Sequence, residues 1–177
     1  MLSIKQLGTI DSPWTAMPPL RLGKIPSGLG TADLFVTISD GDRALLRVDL
    51  YGDSSSESDT FQDALVWCEH VFVGFGHWVY VIDPRKQSSS EVFLGDCCGY
   101  FSDFYAGQDY LLAASGESLL RLAPDGKVLW STPNLGIDGV VVKTVENGLI
   151  QGEGEWDPPG GWKPFVLRLD SGQLVVG

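Results

Sequence analysis

The amino-acid sequence predicts an all-β protein, a propeller-like antiparallel repeat structure of about four sheet units with up to four strands each. The first observation is an apolar run that recurs four times, at intervals of 37, 39 and 39 residues. The second is that a glycine-containing turn and another apolar run follow each of these runs. A strand-only period of this length is typical of propeller blades and related stacked sheets. The first runs begin at Leu34, Val71, Tyr110 and Leu149, and the second runs span 46–49, 80–83, 120–123 and 167–170.

The repeats divide one predicted domain, residues 1–177, into four units. The last unit is the clearest, because a β-branched run at 140–145 is followed by Asn147-Gly148, a strong signal for a tight hairpin. Three further strand-like runs complete a four-stranded antiparallel meander. We therefore place the units at about 30–60, 61–99, 100–137 and 138–177.

Equivalent positions of the repeats predict which residues form the core. Equivalent strands are expected at 34–38, 71–75, 110–114 and 149–153. The aspartates that end the second runs are expected to cap turns, and the arginines within those runs to pair with neighbouring units. These aspartates are Asp49, Asp83 and Asp170, and the arginines are Arg47, Arg121 and Arg168. The side chains predicted to be buried are Phe35, Val73, Leu111, Val140, Val142 and Leu167.

The N-terminal segment, residues 1–29, does not follow the repeat. Residues 11–30 contain four of the ten prolines, which indicates an irregular segment draped over the sheets. Residues 4–10 are expected to form a closing strand that pairs with the C-terminal repeat, because such a strand removes exposed sheet edges.

One stretch of the third unit resembles a known repeat. Residues 122–130 read Leu-Ala-Pro-Asp-Gly-Lys-Val-Leu-Trp, which resembles the Leu-Asp-x-x-Gly-x-x-x-Trp stretch of quinoprotein-like (PQQ-type) β-propeller repeats. Leu169-Asp170 followed by Gly172 is a weaker copy. The resemblance implies a four-stranded blade whose fourth strand lies outermost. Those families use six to eight blades around a cofactor or peptide, whereas this chain has room for about four, so we expect no cofactor.

Charge and composition exclude several classes of partner. The chain has a net charge of −11, and its 12 lysines and arginines are scattered, so nucleic-acid binding is disfavoured. No apolar run approaches the roughly 20 residues that span a bilayer. The N-terminus lacks a basic stretch followed by an apolar block, which predicts a cytoplasmic protein. The acidity fits either a well-solvated surface or a face that attracts a basic partner.

Catalytic and metal-binding motifs are weak. The three cysteines, Cys68, Cys97 and Cys98, are expected to be reduced thiols. Together with His70 and His77 they lack the paired spacing of structural zinc sites, so no metal is expected. No Gly-x-Ser-x-Gly elbow surrounds a serine. We therefore expect a protein without enzymatic activity.

The segment 152–164 is the strongest candidate for a binding site. It lengthens the turn of the last unit by about ten residues relative to the unit before it, and long loops on regular scaffolds often carry binding residues. The alternative is that its tryptophans fold over the end of the stack. The candidate binding residues are Glu153, Glu155, Trp156, Asp157 and Trp162.

These observations predict a non-enzymatic cytosolic protein that binds another protein through loops of a propeller-like scaffold. Its acidity and small size suit an inhibitor or immunity-type partner of a basic toxin or nuclease. The alternative is a hydrolase or carbohydrate-binding module that uses the Trp/Glu loop 153–163, with neighbouring carboxylates as the catalytic pair.

Overall fold

The protein is described here by a computed structural model, which covers residues 1–28, 30–52, 61–96, 98–156 and 160–176. These residues form four four-stranded sheets, and their helical content is one 3₁₀ turn, Trp14–Ala16. The predicted all-β, propeller-like repeat fold is therefore confirmed.

The sheets follow one another along the chain. The first contains β1 Leu2–Leu7, β2 Pro19–Gly23, β3 Leu34–Asp40 and β4 Arg43–Tyr51, in the spatial order β1-β3-β4-β2. The second contains β5 Gln62–Trp67, β6 His70–Phe75, β7 Trp78–Asp83 and β8 Ser88–Phe93. The third contains β9 Phe101–Ala106, β10 Leu111–Ser115, β11 Leu119–Leu122 and β12 Val128–Thr132. The fourth contains β13 Val140–Glu146, β14 Leu149–Trp156, β15 Gly161–Arg168 and β16 Leu174–Val176.

The second, third and fourth sheets are antiparallel meanders, as the repeat predicts. Each starts with an edge strand, and the edge strands β1, β5, β9 and β13 lie next to one another in that order. The fourth strands β8, β12 and β16 form the opposite edges. The sheets therefore fan outward from one side, as propeller blades do.

The first sheet departs from the prediction. The N-terminal strand β1 pairs with β3 of its own sheet, Ile4 opposite Ile38, and not with the C-terminal repeat. Strand β2 lies within the segment expected to be irregular and pairs parallel with β4. The predicted closing role of residues 4–10 is therefore wrong. The apolar side chains Leu2 and Ile4 instead pack onto the core between the first two sheets, which fixes β1 there.

The core consists of three apolar layers, one between each pair of successive sheets. Inner strands contribute to two layers at once, because neighbouring side chains point to opposite faces. In β6, Val73 faces the first sheet and Phe72 faces the third. All six side chains predicted to be buried are buried, namely Phe35, Val73, Leu111, Val140, Val142 and Leu167.

The strand-end polar residues follow the predicted pattern in part. Asp83 Oδ1 accepts hydrogen bonds from the backbone N–H groups of Arg85 and Lys86, at 3.0 and 3.1 Å, and so caps the turn. Arg121 reaches the next sheet, where its Nη1 donates to the Leu169 carbonyl at 2.9 Å. Asp49 instead forms a two-bond ion pair with Arg47 in its own strand.

The turn after β7 makes stability depend on pH. The hydrogen bond from the Lys86 side chain, and then the backbone bonds, lower the pKa of Asp83 to about 2. Because the folded pKa is lower than the unfolded value near 3.8, this contribution is present above pH 3.8 and is lost as the pH falls through 2. We expect Asp83→Asn to lower the melting temperature by on the order of 1–3 °C at pH 6. The difference should shrink towards pH 2.

Thermal melts of both proteins from pH 2 to pH 7 check this expectation. Asp42→Asn, at an exposed aspartate in the β3–β4 turn, is the control. A deficit in Asp83→Asn that stays constant down to pH 2 would contradict the role of the charge.

Candidate functional site: an aromatic and acidic surface

The predicted binding loop is mostly paired strand. Strands β14 and β15 stay in register from Leu149 opposite Arg168 to Trp156 opposite Gly161. The expectation of a long loop over 152–164 is therefore wrong on both sides of the turn. The alternation Glu-Gly-Glu-Trp suits a strand, and its partner strand lies too far along the sequence for the local pattern to show it. Asp157 lies outside the described residues.

The register separates the predicted site residues into two groups. Glu155 lies opposite Trp162 and Glu153 lies one pair further along, so these three side chains share one face of the fourth sheet. Trp156 points to the other face, where Lys163 Nζ lies 5.3 Å from the centroid of its ring. Glu153 forms an ion pair with Lys143 at 3.3 Å.

The connection between the third and fourth sheets lies beside Glu155. The Ile137 N–H donates to the Glu155 carbonyl, and the Glu155 N–H donates to the Gly139 carbonyl, both at 2.8 Å. The connection approaches closely because a Cβ on Gly154 would collide with the Leu135 carbonyl oxygen. This contact brings Asp138 next to Glu155.

Trp162 joins the same group from the neighbouring strand. Its ring covers Gly139, with Cη2 3.2 Å from the position that a Cβ would occupy there. About half of the Trp162 side chain, 48%, is exposed. The indole is therefore packed on one side and open to solvent on the other.

The connection between the second and third sheets contributes Tyr100. Its hydroxyl lies 2.7 Å from both the carbonyl oxygen and Oδ1 of Asp138. Burial, and then the hydrogen bond with Asp138, raises the pKa of Tyr100 well above its usual value. The hydroxyl is therefore protonated at neutral pH and donates to Asp138.

Phe61 extends the group to the second sheet. Its ring stacks on Tyr100, with centroids 6.0 Å apart and an interplanar angle of 19°. Phe61 is 52% exposed. We call the continuous patch formed by Phe61, Tyr100, Asp138, Glu155 and Trp162 the aromatic–acidic surface.

Sequence reasoning missed three members of this surface, although the repeat carries a signal for them. Phe61, Tyr100 and Gly139 each immediately precede the first strand of a unit, at intervals of 39 residues. Asp138 precedes Gly139. Equivalent positions of a repeat lie at the same end of their sheets, so these residues meet in space.

Other polar clusters do not form metal sites in the described ranges. Within them, no group of three or more His, Cys, Asp or Glu residues is arranged to hold a metal ion. His70 Nδ1 lies 3.1 Å from the Cys68 carbonyl, and His77 Nδ1 lies 3.0 Å from the Gly95 carbonyl. The described residues also contain no helix that is long and apolar enough to span a membrane.

Comparisons with known proteins add little to the geometry. No protein-family model and no curated protein sequence matches this chain. Among solved structures, the WD40 domain of Pan2 from Neurospora crassa is similar, with a TM-score of 0.44 and 13% identity over 81% of this chain. The match covers 48% of that domain's chain, so this chain spans about half of its length.

The class of protein, an all-β propeller-like repeat protein, is therefore defined by the sheet topology. Four-stranded sheets with the fourth strand at the outer edge agree with the blade that the quinoprotein resemblance implies. They are not specific to the PQQ type.

Proposed function

We propose that this chain is a non-enzymatic binding protein that captures a basic region of a partner protein on the aromatic–acidic surface. The observation that carries this proposal is the pair of half-exposed aromatic rings, Phe61 and Trp162, held in one patch with two carboxylates. Rigid exposed aromatic side chains contribute large contact areas, and they are common at the energetic centres of protein interfaces.

The carboxylates define the chemistry of the partner. Asp138 and Glu155 lie beside the rings, so an arginine or lysine of the partner can stack on an aromatic face and pair with a carboxylate. The net charge of −11 attracts a basic partner from a distance and speeds its encounter with the surface. Both effects weaken as salt is added.

The finer proposal is that the chain is an inhibitor or immunity-type protein that neutralises a basic toxin or nuclease in the cytoplasm. Its support is the combination of small size, acidity and an exposed aromatic–acidic surface. The hydrolase or carbohydrate-binding alternative gains no support, because Glu153 is paired with Lys143 and both carboxylates lie on an open sheet face. A catalytic carboxylate pair works in a concave site that excludes water.

Trp162→Ala tests the proposal once a partner has been co-purified from the native host and identified. We expect a loss of about 30-fold in affinity, on the order of 2 kcal/mol, because a half-exposed ring at the centre of the patch is removed. The melting temperature should change little, because the same ring contributes little to the core. Calorimetric titration and thermal melts measure the two quantities.

Two further variants make the test specific. Glu155→Gln should weaken binding at low salt and reduce its salt dependence, whereas Trp156→Ala, on the opposite face, should leave the affinity within about twofold. Leu129→Ala is the control, since Leu129 is 56% exposed on β12, outside the surface. Unchanged affinity in a folded Trp162→Ala protein would contradict the proposal.

A further inference from the structure

A cavity of about 380 Å³ lies between the first and second sheets, away from the aromatic–acidic surface. Its walls come from the ends of β2 and β4 on one side and from β6, β7 and β8 on the other. The volume is within the range of small-molecule sites, roughly 300–1,000 Å³. Neither the repeat pattern nor the proposed function accounts for this cavity.

Four side chains on one face of the second sheet determine the chemistry of the cavity. Trp78 lies opposite Phe93, and Tyr80 lies opposite Glu91, in consecutive same-face pairs of β7 and β8. The Trp78 and Phe93 rings are 4.8 Å apart, tilted by 43°. Three aromatic rings and one carboxylate thus form a block that lines the cavity.

The remaining walls make the site deep at one end and open at the other. Tyr51, Phe75 and Tyr80 are buried, and they line the closed end. Phe93 is 47% exposed and lies at the mouth. A ligand can therefore enter from solvent and place an apolar group against several rings.

We propose that this cavity binds a small compound with a quaternary ammonium group. The faces of aromatic rings attract cations, and this attraction is strongest where water is excluded. Glu91 supplies the counter-charge beside the rings, and Asp96 adds a second carboxylate to the lining. A methylated ammonium suits the site better than a protonated amine, because it places no unpaired N–H donor against apolar walls.

The same groups argue against other ligand classes. A neutral apolar ligand would remove water from Glu91 without replacing its interactions, which is unfavourable. An anion would be repelled by Glu91 and Asp96. Lys24 also lines the cavity, and its charge opposes a cationic ligand. Removing that charge is therefore expected to strengthen binding.

Titration of the intact chain with choline chloride tests the proposal, with the neutral analogue that carries a tert-butyl group in place of trimethylammonium as the matched probe. We expect saturable binding of choline, followed by the indole NMR resonance of Trp78, and at least about 10-fold weaker binding of the neutral analogue. Equal binding of the two probes would overturn the proposal. So would the absence of saturable binding by choline to the folded protein.

Variants assign the binding to the named residues. Glu91→Gln is expected to weaken choline binding about 5–10-fold and to leave the neutral analogue within about twofold, whereas Lys24→Met should strengthen choline binding. Calorimetry measures the affinities of the variants. Phe93→Leu should weaken choline binding about 10-fold; its half-exposed position keeps the fold intact if Trp78→Leu fails to fold. Leu129→Ala is the control, and unchanged choline affinity in both Glu91→Gln and Phe93→Leu would place the bound cation elsewhere and refute the site.

A peptide of otherwise neutral sequence that contains one trimethyllysine distinguishes the source of the ammonium group. Tighter binding of the peptide than of choline would assign the group to a protein side chain, in agreement with the chemistry proposed. Binding of choline alone would assign it to a free metabolite. Both outcomes are independent of the aromatic–acidic surface, because the cavity shares none of its residues.

Discussion

Phe101→Ala is expected to lower the free energy of unfolding by about 3–5 kcal/mol, which corresponds to a fall in melting temperature on the order of 10 °C. The Phe101 side chain is fully buried in the layer between the second and third sheets. Its ring packs against the backbone of Gly74 and against Phe104, whose ring centroid is 4.6 Å away. Truncation removes these contacts and leaves a cavity between two sheets that cannot close together easily, because each is held by a further layer.

Urea unfolding with matched melts measures the change, and Leu129→Ala is the control. Because Leu129 is mostly exposed, its truncation should change stability by less than about 0.5 kcal/mol. A loss below about 1 kcal/mol in Phe101→Ala would show that the second and third sheets do not share this core. Tyr100 of the aromatic–acidic surface is the preceding residue, so partner binding should be compared only under conditions where the variant is folded.

Gly154→Ala is expected to destabilise the protein by about 1–3 kcal/mol and also to weaken partner binding. An added methyl group would collide with the Leu135 carbonyl oxygen, which belongs to the connection that carries Ile137 and Asp138. The backbone must then move apart, and the bonds between Glu155 and this connection lengthen or break. Asp138 and Tyr100 would move away from Glu155 and Trp162, so that the patch loses its continuity.

Gly8→Ala provides the matched control, since a Cβ there meets no atom within 4 Å. It should leave both stability and affinity unchanged. Full stability in Gly154→Ala would mean that the connection does not pack against β14. A destabilised Gly154→Ala protein with unchanged affinity while folded would exclude the connection from the binding surface.

The two binding sites rest on different physical features of the scaffold. The aromatic–acidic surface is formed where connections between sheets meet, and its members come from three units of the repeat. The cavity is formed where the first two sheets diverge near their outer strands. Its central block lies within one hairpin, where Trp78, Tyr80, Glu91 and Phe93 are brought together by strand register alone.

Short-range patterns in the sequence predicted the local structure well. The hairpin at Asn147-Gly148 forms as expected, with φ of 51° and 76° at the two turn positions. The apolar positions repeated at intervals of 37 and 39 residues are the ones that lie in the core. Both predictions succeed because turn chemistry and side-chain alternation depend on residues that are close in sequence.

The failures all concern pairing over long distances. β1 was assigned to the far end of the chain, but Leu2 and Ile4 find their apolar partners in the first sheet. The segment 152–164 contains two glycines beside glutamates, two prolines and a further glycine pair, a composition typical of loops. It nevertheless forms strand on both sides of the turn, because β14 and β15 are each already held in register by buried residues such as Ile150 and Leu167.

The sequence by itself determined that this protein is a stack of four β-sheet units, where their turns lie, and that its surface is acidic. Periodicity and charge are properties of the chain and require no knowledge of which residues meet. Only the tertiary structure decided that Trp162 and Glu155 face the same way, that Trp156 does not, and that Phe61, Tyr100 and Asp138 complete their patch. The reason is physical: a surface is formed by residues from separate sheets, and their proximity depends on how those sheets pack.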